Sequence, residues 1–287
     1  MPELPEVETV RISLEPLILG AQIMEIRELT PGVLYNWTGQ PAVASGRIVS
    51  GLRRRGKYLL LDLGPDLLLI AHLRMTGQFR YEEQPPEWHK HDHIILRLEK
   101  SGTGPVWLVF HDTRRFGRIW LLRPEQVGQL AGLAFLGPEP LDPQLDSETL
   151  RQRLSHHART SLKAALLAQT VVAGLGNIYT DETLFLAGIN PQRLAGSLSP
   201  DEAGRLLSGM QKVLQAAVNA RGTSIKDYVD ALNVRGSFQY QLQVYGRAGQ
   251  PCTQCGTALA KTRLAGRTTV YCPRCQPISI KMAWTGQ

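Results

Sequence analysis

Four cysteines stand in two close pairs, Cys252-x2-Cys255 and Cys272-x2-Cys275, with 16 residues between the pairs. That spacing dictates a local structure whatever the rest of the chain does. Each pair can sit on one tight knuckle, and two opposed knuckles can place four thiolates tetrahedrally around Zn²⁺. Gly256 follows the first pair, where such a knuckle turns, and Arg267-Thr268-Thr269-Val270-Tyr271 reads as the strand leading to the second. Disulfide frameworks belong to shorter, denser secreted chains, so the clustering favours metal over two disulfides or a redox dithiol. Four protein ligands leave no open coordination position, which makes the expected zinc structural. Lys261, Arg263, Arg267 and Arg274 decorate the ribbon and suit contact with nucleic acid.

The charge distribution points the same way. Up to residue 150, 16 basic side chains face 19 acidic ones; beyond it, 16 basic side chains face six. An excess so lopsided favours a polyanionic partner for the second half, with DNA or RNA as the default, although a basic solvated surface gives the same count. At 287 residues, the length suggests about two domains. The 43% hydrophobic and 20% charged content is that of a globular protein, not a disordered or fibrous one. No apolar run approaches the ~18 residues of a membrane span; Leu67 to Leu73 already contains His72. The start lacks the basic-then-apolar pattern of a signal peptide, so a soluble, cytoplasmic protein is expected.

Hydrophobic periodicity divides the chain. Val7, Val10, Leu14 and Leu17 recur at helical spacing after Pro5, and Gly20 is a plausible stop. From about residue 22 to 122 the pattern is strand-like: Lys57–Leu63, Asp66–Leu73, His93–Leu98, Val106–Phe110 and Arg118–Leu122 alternate with Gly, Pro and charged turns. Regular short strands of this kind predict an antiparallel sandwich or barrel. Gly137 to Asp146, rich in Pro and acids, reads as a linker. Helical periods follow: Ile178–Leu186 after Gly174-Leu175-Gly176-Asn177, and a helix to about Ala220 opened by Ser199-Pro200-Asp201-Glu202. Residues 222–239 carry Gly, Ser, Thr and Asn, the composition of a mobile connector.

Removal of Met1 would expose Pro2 as a free secondary amine. Such an amine can attack an electrophilic sugar carbon and form an iminium, with the neighbouring Glu3 to handle protons or stabilise a sugar cation. Alone, a Pro and a Glu near an N-terminus usually just begin a helix. The stretch Met1-Pro2-Glu3-Leu4-Pro5-Glu6-Val7-Glu8-Thr9, however, resembles the start of the formamidopyrimidine-DNA glycosylase family. The resemblance continues through Arg55-Gly56-Lys57-Tyr58, His72-Leu73-Arg74-Met75-Thr76-Gly77, His91-Asp92-His93, Asp112-Thr113-Arg114-Arg115-Phe116-Gly117, Leu136-Gly137-Pro138-Glu139-Pro140-Leu141, Gly174-Leu175-Gly176-Asn177-Ile178-Tyr179, Val244-Tyr245-Gly246-Arg247 and the four cysteines. Any one segment is weak; in this order and at these intervals, together they are specific.

The resemblance implies a bifunctional DNA glycosylase and abasic-site lyase of base excision repair. Such an enzyme removes 8-oxoguanine and ring-opened purines from duplex DNA and then cuts the strand by β,δ-elimination. It implies an α+β fold: a β-sandwich domain with a leading helix (1–136), a linker (137–146), a helix–two-turn–helix domain (147–250), a zinc finger (251–276) and a tail (277–287). DNA is expected in the cleft between the lobes, with one structural Zn²⁺ and a monomeric protein. By the same resemblance, Pro2 is the nucleophile, Glu3 its acid–base partner, Lys57 the elimination lysine and Arg267 the finger arginine that clamps phosphate. Met75, Arg114 and Phe116 resemble the set that fills the void left by a flipped nucleotide, where an apolar wedge and a planar guanidinium can face the orphaned base. His91, Arg159, Lys163 and Asn177 resemble contacts to the DNA backbone. The Gly174–Asn177 turn before a helix N-terminus suits a phosphate.

Two departures are visible. The family's Asp-Pro-Arg-Arg-Phe-Gly reads Asp-Thr-Arg-Arg-Phe-Gly here. Residues 222–239, which resemble the lesion-capping loop, match poorly beyond Gly222-Thr223, so lesion preference is carried over least well. The rivals are an endonuclease VIII-type enzyme for oxidised pyrimidines, against which Leu4 and Arg114-Arg115-Phe116 speak, and a non-catalytic zinc-containing DNA-binding protein, against which Pro2, Glu3 and Lys57 together speak. The tail after Cys275, with Trp284, carries no assigned role.

Overall fold

The structure, a computed structural model, describes residues 2–39, 41–102, 104–225 and 227–278. Met1 and the tail from residue 279, with Trp284, lie outside the described residues. Two compact units form. One comprises the chain up to Ala134 together with Ala220–Gln239; the other comprises Phe135–Asn219 and the chain from Tyr240 onward.

In the first unit, helix α1 (Leu4–Ile18) opens with Pro5 in its first turn and the Glu3 N–H donating to Glu6 Oε2 at 2.8 Å. Val7, Val10, Leu14 and Ile18 lie on one face and are fully buried, at about 1.5–3 kcal/mol of transfer free energy each. Gly20, at φ +80, turns the chain out of the helix. Nine strands follow among the described residues: β1 (Gln22–Glu28), β2 (Leu34–Asn36), β3 (Gly51–Arg55), β4 (Tyr58–Asp62), β5 (Leu68–His72), β6 (Gly77–Glu82), β7 (Asp92–Lys100), β8 (Gly104–Asp112) and β9 (Arg118–Leu122). They form two sheets, β1-β7-β8-β6 and β2-β9-β5-β4-β3. The expected sandwich is antiparallel except at one edge, where the short β2 pairs parallel to β9. The sheets and α1 share one core, to which Leu59, Leu61, Leu69, Leu96, Leu108 and Phe110 belong. A short helix, α2 (Ala131–Ala134), closes this stretch.

The second unit holds α3 (Ser147–Ser155), α4 (Leu162–Leu167), α5 (Asn177–Ala187), α6 (Pro200–Asn219) and the hairpin of β10 (Ala260–Leu264) and β11 (Arg267–Tyr271). The caps follow the sequence: Asp146 accepts from the Thr149 N–H, Ser161 from the Ala164 N–H, and Ser199 with Glu202 forms a reciprocal capping box. Gly188, at φ +69, ends α5. Residues 168–176 join α4 to α5 through a turn and a run of bends. Among the described residues no helix is long and apolar enough to cross a membrane.

Two stretches behave differently from the sequence reading. Residues 137–146, read as a linker, pack on the second unit: the Gly137 N–H donates to Gln169 O at 2.8 Å, the Ala173 N–H to Pro138 O at 2.9 Å, and Leu145 is buried. Residues 220–239, grouped by sequence with the helical part, belong to the first unit. Tyr228 and Ala231 join the sandwich core, and the Tyr81 N–H of β6 donates to Ala231 O at 3.1 Å.

Candidate active site and nucleic-acid interface

Pro2 and Glu3 stand at the head of α1, and both are buried. Glu3 is 2% exposed, unusual for a carboxylate at a chain start. Glu6, to which the sequence assigned no role of its own, proves to be a fastener. One of its oxygens accepts from the Glu3 N–H, and the other from the Thr223 N–H at 2.7 Å. The Tyr228 hydroxyl donates to the Glu6 carbonyl at 3.1 Å. A Cβ on Gly222 would lie 2.9 Å from Glu6 Oε1, so only glycine lets this backbone approach the carboxylate. Glu6 thereby ties Thr223 and Tyr228 to the end of α1 that bears Pro2 and Glu3. The described part of the 222–239 segment is further knotted: Arg221 pairs with buried Asp230, whose Oδ1 accepts from Leu232 and Val234, and Ser224 Oγ accepts from the Gly236 N–H at 2.9 Å. The mobile connector expected from composition is therefore a segment with its own polar scaffold.

Lys57 follows Gly56 in the tight turn between β3 and β4 and is 8% exposed. Arg54 braces this turn to α1: its Nε donates to Glu8 Oε2 at 2.8 Å and its Nη1 to the Gly56 carbonyl at 3.0 Å. His72, to which sequence assigned no role, ends β5 directly opposite Tyr58 and meets its ring edge-on at 4.6 Å. Burial, reinforced by the charges of Arg74 and Lys57, pushes the His72 pKa from 6.5 down to about 3. The neutral ring accepts the Arg74 N–H at Nδ1, at 3.0 Å, which leaves the proton on Nε2.

This histidine sets a pH dependence. The unfolded chain takes up its proton near 6.5, the folded protein only near about 3. Between those values the unfolded state binds more protons, so stability falls as pH is lowered, by about 1.4 kcal/mol per pH unit from this group. Between pH 6.5 and about 5, above the range of most carboxylates, His72→Gln is expected to flatten the fall in urea midpoint. An unchanged slope in the variant contradicts the buried neutral state.

The structure brings Arg114 and Phe116 together, with the guanidinium 4.7 Å from the ring centroid. Phe116 is 48% exposed, not the core residue that its type alone suggests, and Met75 is half-buried on the loop between β5 and β6. His91, half-buried before β7, meets the His111 ring edge-on at 5.9 Å.

In the second unit, Arg159 is exposed just ahead of α4, and Arg267 is exposed where β11 begins. Lys163 departs from the expected DNA-backbone contact: it is wholly buried, donating to Asp181 Oδ1 at 2.6 Å and to Thr268 O at 3.2 Å. Asp181 Oδ2 accepts the Val270 N–H at 3.1 Å, and Asn177 Nδ2 donates to Thr268 O at 3.1 Å. Burial raises the Asp181 carboxyl to about 6 against the pull of Lys163. This polar knot fixes β11, and with it the start of the strand that carries Arg267, onto α4 and α5.

The four cysteines converge as their spacing predicts. All four Sγ atoms lie within 4.8 Å of one another, with Cys252–Cys275 at 3.9 Å and Cys255–Cys272 at 3.5 Å. A tetrahedral Zn²⁺ with bonds of about 2.3 Å needs sulfurs roughly 3.8 Å apart, so the set fits the ion. Hydrogen bonds from Thr257 draw the Cys255 thiol down to about 6, while burial and its three thiol neighbours push Cys275 up. Four thiolates so crowded require a cation, and a structural zinc is the group these residues hold.

Family models match in three consecutive pieces: the formamidopyrimidine-DNA glycosylase N-terminal domain at residues 1–119, the formamidopyrimidine-DNA glycosylase H2TH domain at 136–229, and the zinc finger found in FPG and IleRS at 249–278. The formamidopyrimidine-DNA glycosylase of Desulfitobacterium hafniense is 48% identical over 279 residues, covering 96% of this chain and all of that one. Among solved structures, Lactococcus lactis Fpg with abasic-site DNA aligns at TM-score 0.86 and 38% identity, covering 96% of this chain and 100% of that one. A point mutant of the L. lactis protein with DNA containing Fapy-dG aligns at TM-score 0.87 and 37% identity, with the same coverage. With a buried Pro2-Glu3 head, a braced Lys57 turn and a four-thiolate ribbon on one chain, these matches have one meaning: the chain belongs to the formamidopyrimidine-DNA glycosylase family.

Proposed function

We propose that the protein is a bifunctional base-excision repair enzyme, a DNA glycosylase and abasic-site lyase for 8-oxoguanine and ring-opened purines in duplex DNA. The observation that carries the reading is the head of α1: Pro2 and a nearly inaccessible Glu3, on a helix that Arg54 joins to the Lys57 turn. The Pro2 amine attacks the sugar carbon bearing the damaged base. The base departs with the glycosidic bond's electron pair and is protonated; the nitrogen, now an ammonium, loses its proton, and its regained lone pair forms the iminium as the bond from that carbon to the ring oxygen breaks and the oxygen takes up a proton. Glu3 exchanges protons at the sugar during ring opening. The iminium acidifies the adjacent sugar carbon, so that loss of a proton expels the 3′ phosphate and a second elimination, assisted by Lys57 and Arg267, expels the 5′ phosphate. Zinc takes no part in these steps; it holds the ribbon.

Met75, Arg114 and Phe116 fill the vacated stack, while His91, Arg159 and Asn177 contact the backbone. For Lys163, whose ammonium is inside, we assign the indirect task of seating the ribbon. The protein acts as a monomer in the bacterial cytoplasm, where its DNA lies. Paired turnover on 8-oxoguanine:cytosine and thymine-glycol:adenine duplexes tests the reading. Faster excision of the purine lesion, with binding that weakens steeply as salt rises, is expected. Preference for thymine glycol supports the endonuclease VIII type instead, and binding without excision of either lesion supports the non-catalytic reading.

A further inference from the structure

Two loops carry the three proposed void-filling residues: 73–76, between β5 and β6, holds Met75, and 113–117, between β8 and β9, holds Arg114 and Phe116. Both converge on Asp112. This carboxylate is 0% exposed. Its Oδ1 accepts from the Thr76 hydroxyl, next to Met75, and from the Arg114 N–H at 3.2 Å; its Oδ2 accepts from the Gly117 N–H at 2.7 Å. The residue is itself immobilised. His93 Nε2 donates to the Asp112 carbonyl at 2.7 Å, and the Thr30 hydroxyl donates to His93 Nδ1 at 2.9 Å; a carbonyl can only accept, which fixes that tautomer.

Three further observations show that the loops and the strand start that follows the first are held under constraint. Arg74 and Arg115, one in each loop, both sit at φ 56, a left-handed conformation that non-glycine residues adopt only when their surroundings dictate it. A Cβ on Gly77 would come within 2.9 Å of Phe110 Cζ, and one on Gly117 within 2.5 Å of the same atom and 3.0 Å of Asp112 Oδ2. The Arg114 guanidinium stacks over the Phe116 ring, so two of the three side chains already hold each other.

We propose that Asp112 is the positioning residue of the DNA wedge: one buried carboxylate sets both loops, and so the mutual placement of Met75, Arg114 and Phe116, before DNA arrives. This rests on the reading of those three side chains as void fillers. A preset wedge opens the stack without first ordering itself, so the carboxylate acts on base extrusion and not on the sugar chemistry.

The test uses the full-length zinc-loaded protein and Asp112→Asn, which converts one acceptor oxygen into an amide donor and must leave a loop N–H or the Thr76 hydroxyl without its acceptor. Excision kcat/KM from an 8-oxoguanine:cytosine duplex is expected to fall about 100-fold, the cost of a small displacement of positioned groups. The fluorescence rise of 2-aminopurine beside the lesion, which reports stack opening, is expected to slow in parallel. Borohydride trapping on an abasic site in single-stranded DNA, where no stack has to be opened, is expected to match the unaltered protein.

Equal losses on both substrates, or an unchanged duplex rate, overturn the proposal. Phe116→Ala run alongside separates the two levels: if it loses duplex excision while Asp112→Asn does not, only the positioning role fails. If Phe116→Ala leaves excision intact, the wedge reading fails and the proposal with it. Should Asp112→Asn not fold, Thr76→Val decides, because it removes one link from a half-buried site. A duplex-specific loss of about tenfold supports the proposal and no loss overturns it.

Discussion

Pro2→Gly is expected to lose base excision by at least about 100-fold while duplex binding persists. Glycine still offers an amine, but a primary one on a chain end that no ring holds in place, and orientation of the attacking atom accounts for losses of that size. Pro2 is buried at the head of α1, so its ring is packed. Binding survives because it rests on phosphate contacts from other residues. Single-turnover excision of 8-oxoguanine beside a binding titration separates the two effects. Undiminished excision contradicts the assignment of the nucleophile. A variant with one extra residue before Pro2, whose nitrogen becomes a tertiary amide, should be dead in excision and still bind.

Cys272→Ala is expected to release zinc altogether. Structural zinc in finger peptides contributes roughly 10–16 kcal/mol, and that binding energy is folding energy. Cys272 is fully buried among Phe185, Val244, Leu259 and Val270, so the substitution also opens a gap in the small core that seats the ribbon. Once the ribbon unfolds, Thr268 and Val270 no longer meet Lys163, Asn177 and Asp181, and Arg267 loses its placement. DNA affinity should fall, with the salt slope reduced by about one for each phosphate that the ribbon no longer neutralises. The sandwich has a core of its own and should melt as before. Metal analysis together with thermal unfolding checks this, and full zinc retention refutes the four-thiolate site.

What could be read from sequence follows from where the physics is local. The five strands singled out by apolar runs are β4, β5, β7, β8 and β9, the interior strands of the two sheets; β1, β2, β3 and β6 are the edges. Interior strands are covered on both sides and read as continuous hydrophobic runs. Edge strands such as Gly51–Arg55 are charged, which protects an open edge from pairing but erases the pattern. Caps and the cysteine knuckles were legible because a single short spacing specifies them.

The polar ties were not legible, because each joins residues distant in the chain. Nothing near Glu6 announces Thr223, and nothing near Lys163 announces Asp181 and Thr268. Sequence could place Lys163 in a DNA-binding domain, but only the fold shows its ammonium turned inward. Phe116 misleads in the opposite direction. Its type suggests the core, while the short turn from β8 to β9 and the hydrogen bonds to Asp112 leave its ring at the surface.

The most direct test of the central claim is borohydride trapping of the purified protein on an 8-oxoguanine:cytosine duplex, read by intact mass and N-terminal peptide mapping. A covalent adduct on Pro2, in protein that lacks Met1, is the expected result. An adduct on a lysine, or none at all from protein that lacks Met1 and carries zinc, contradicts the assignment of Pro2 as the nucleophile.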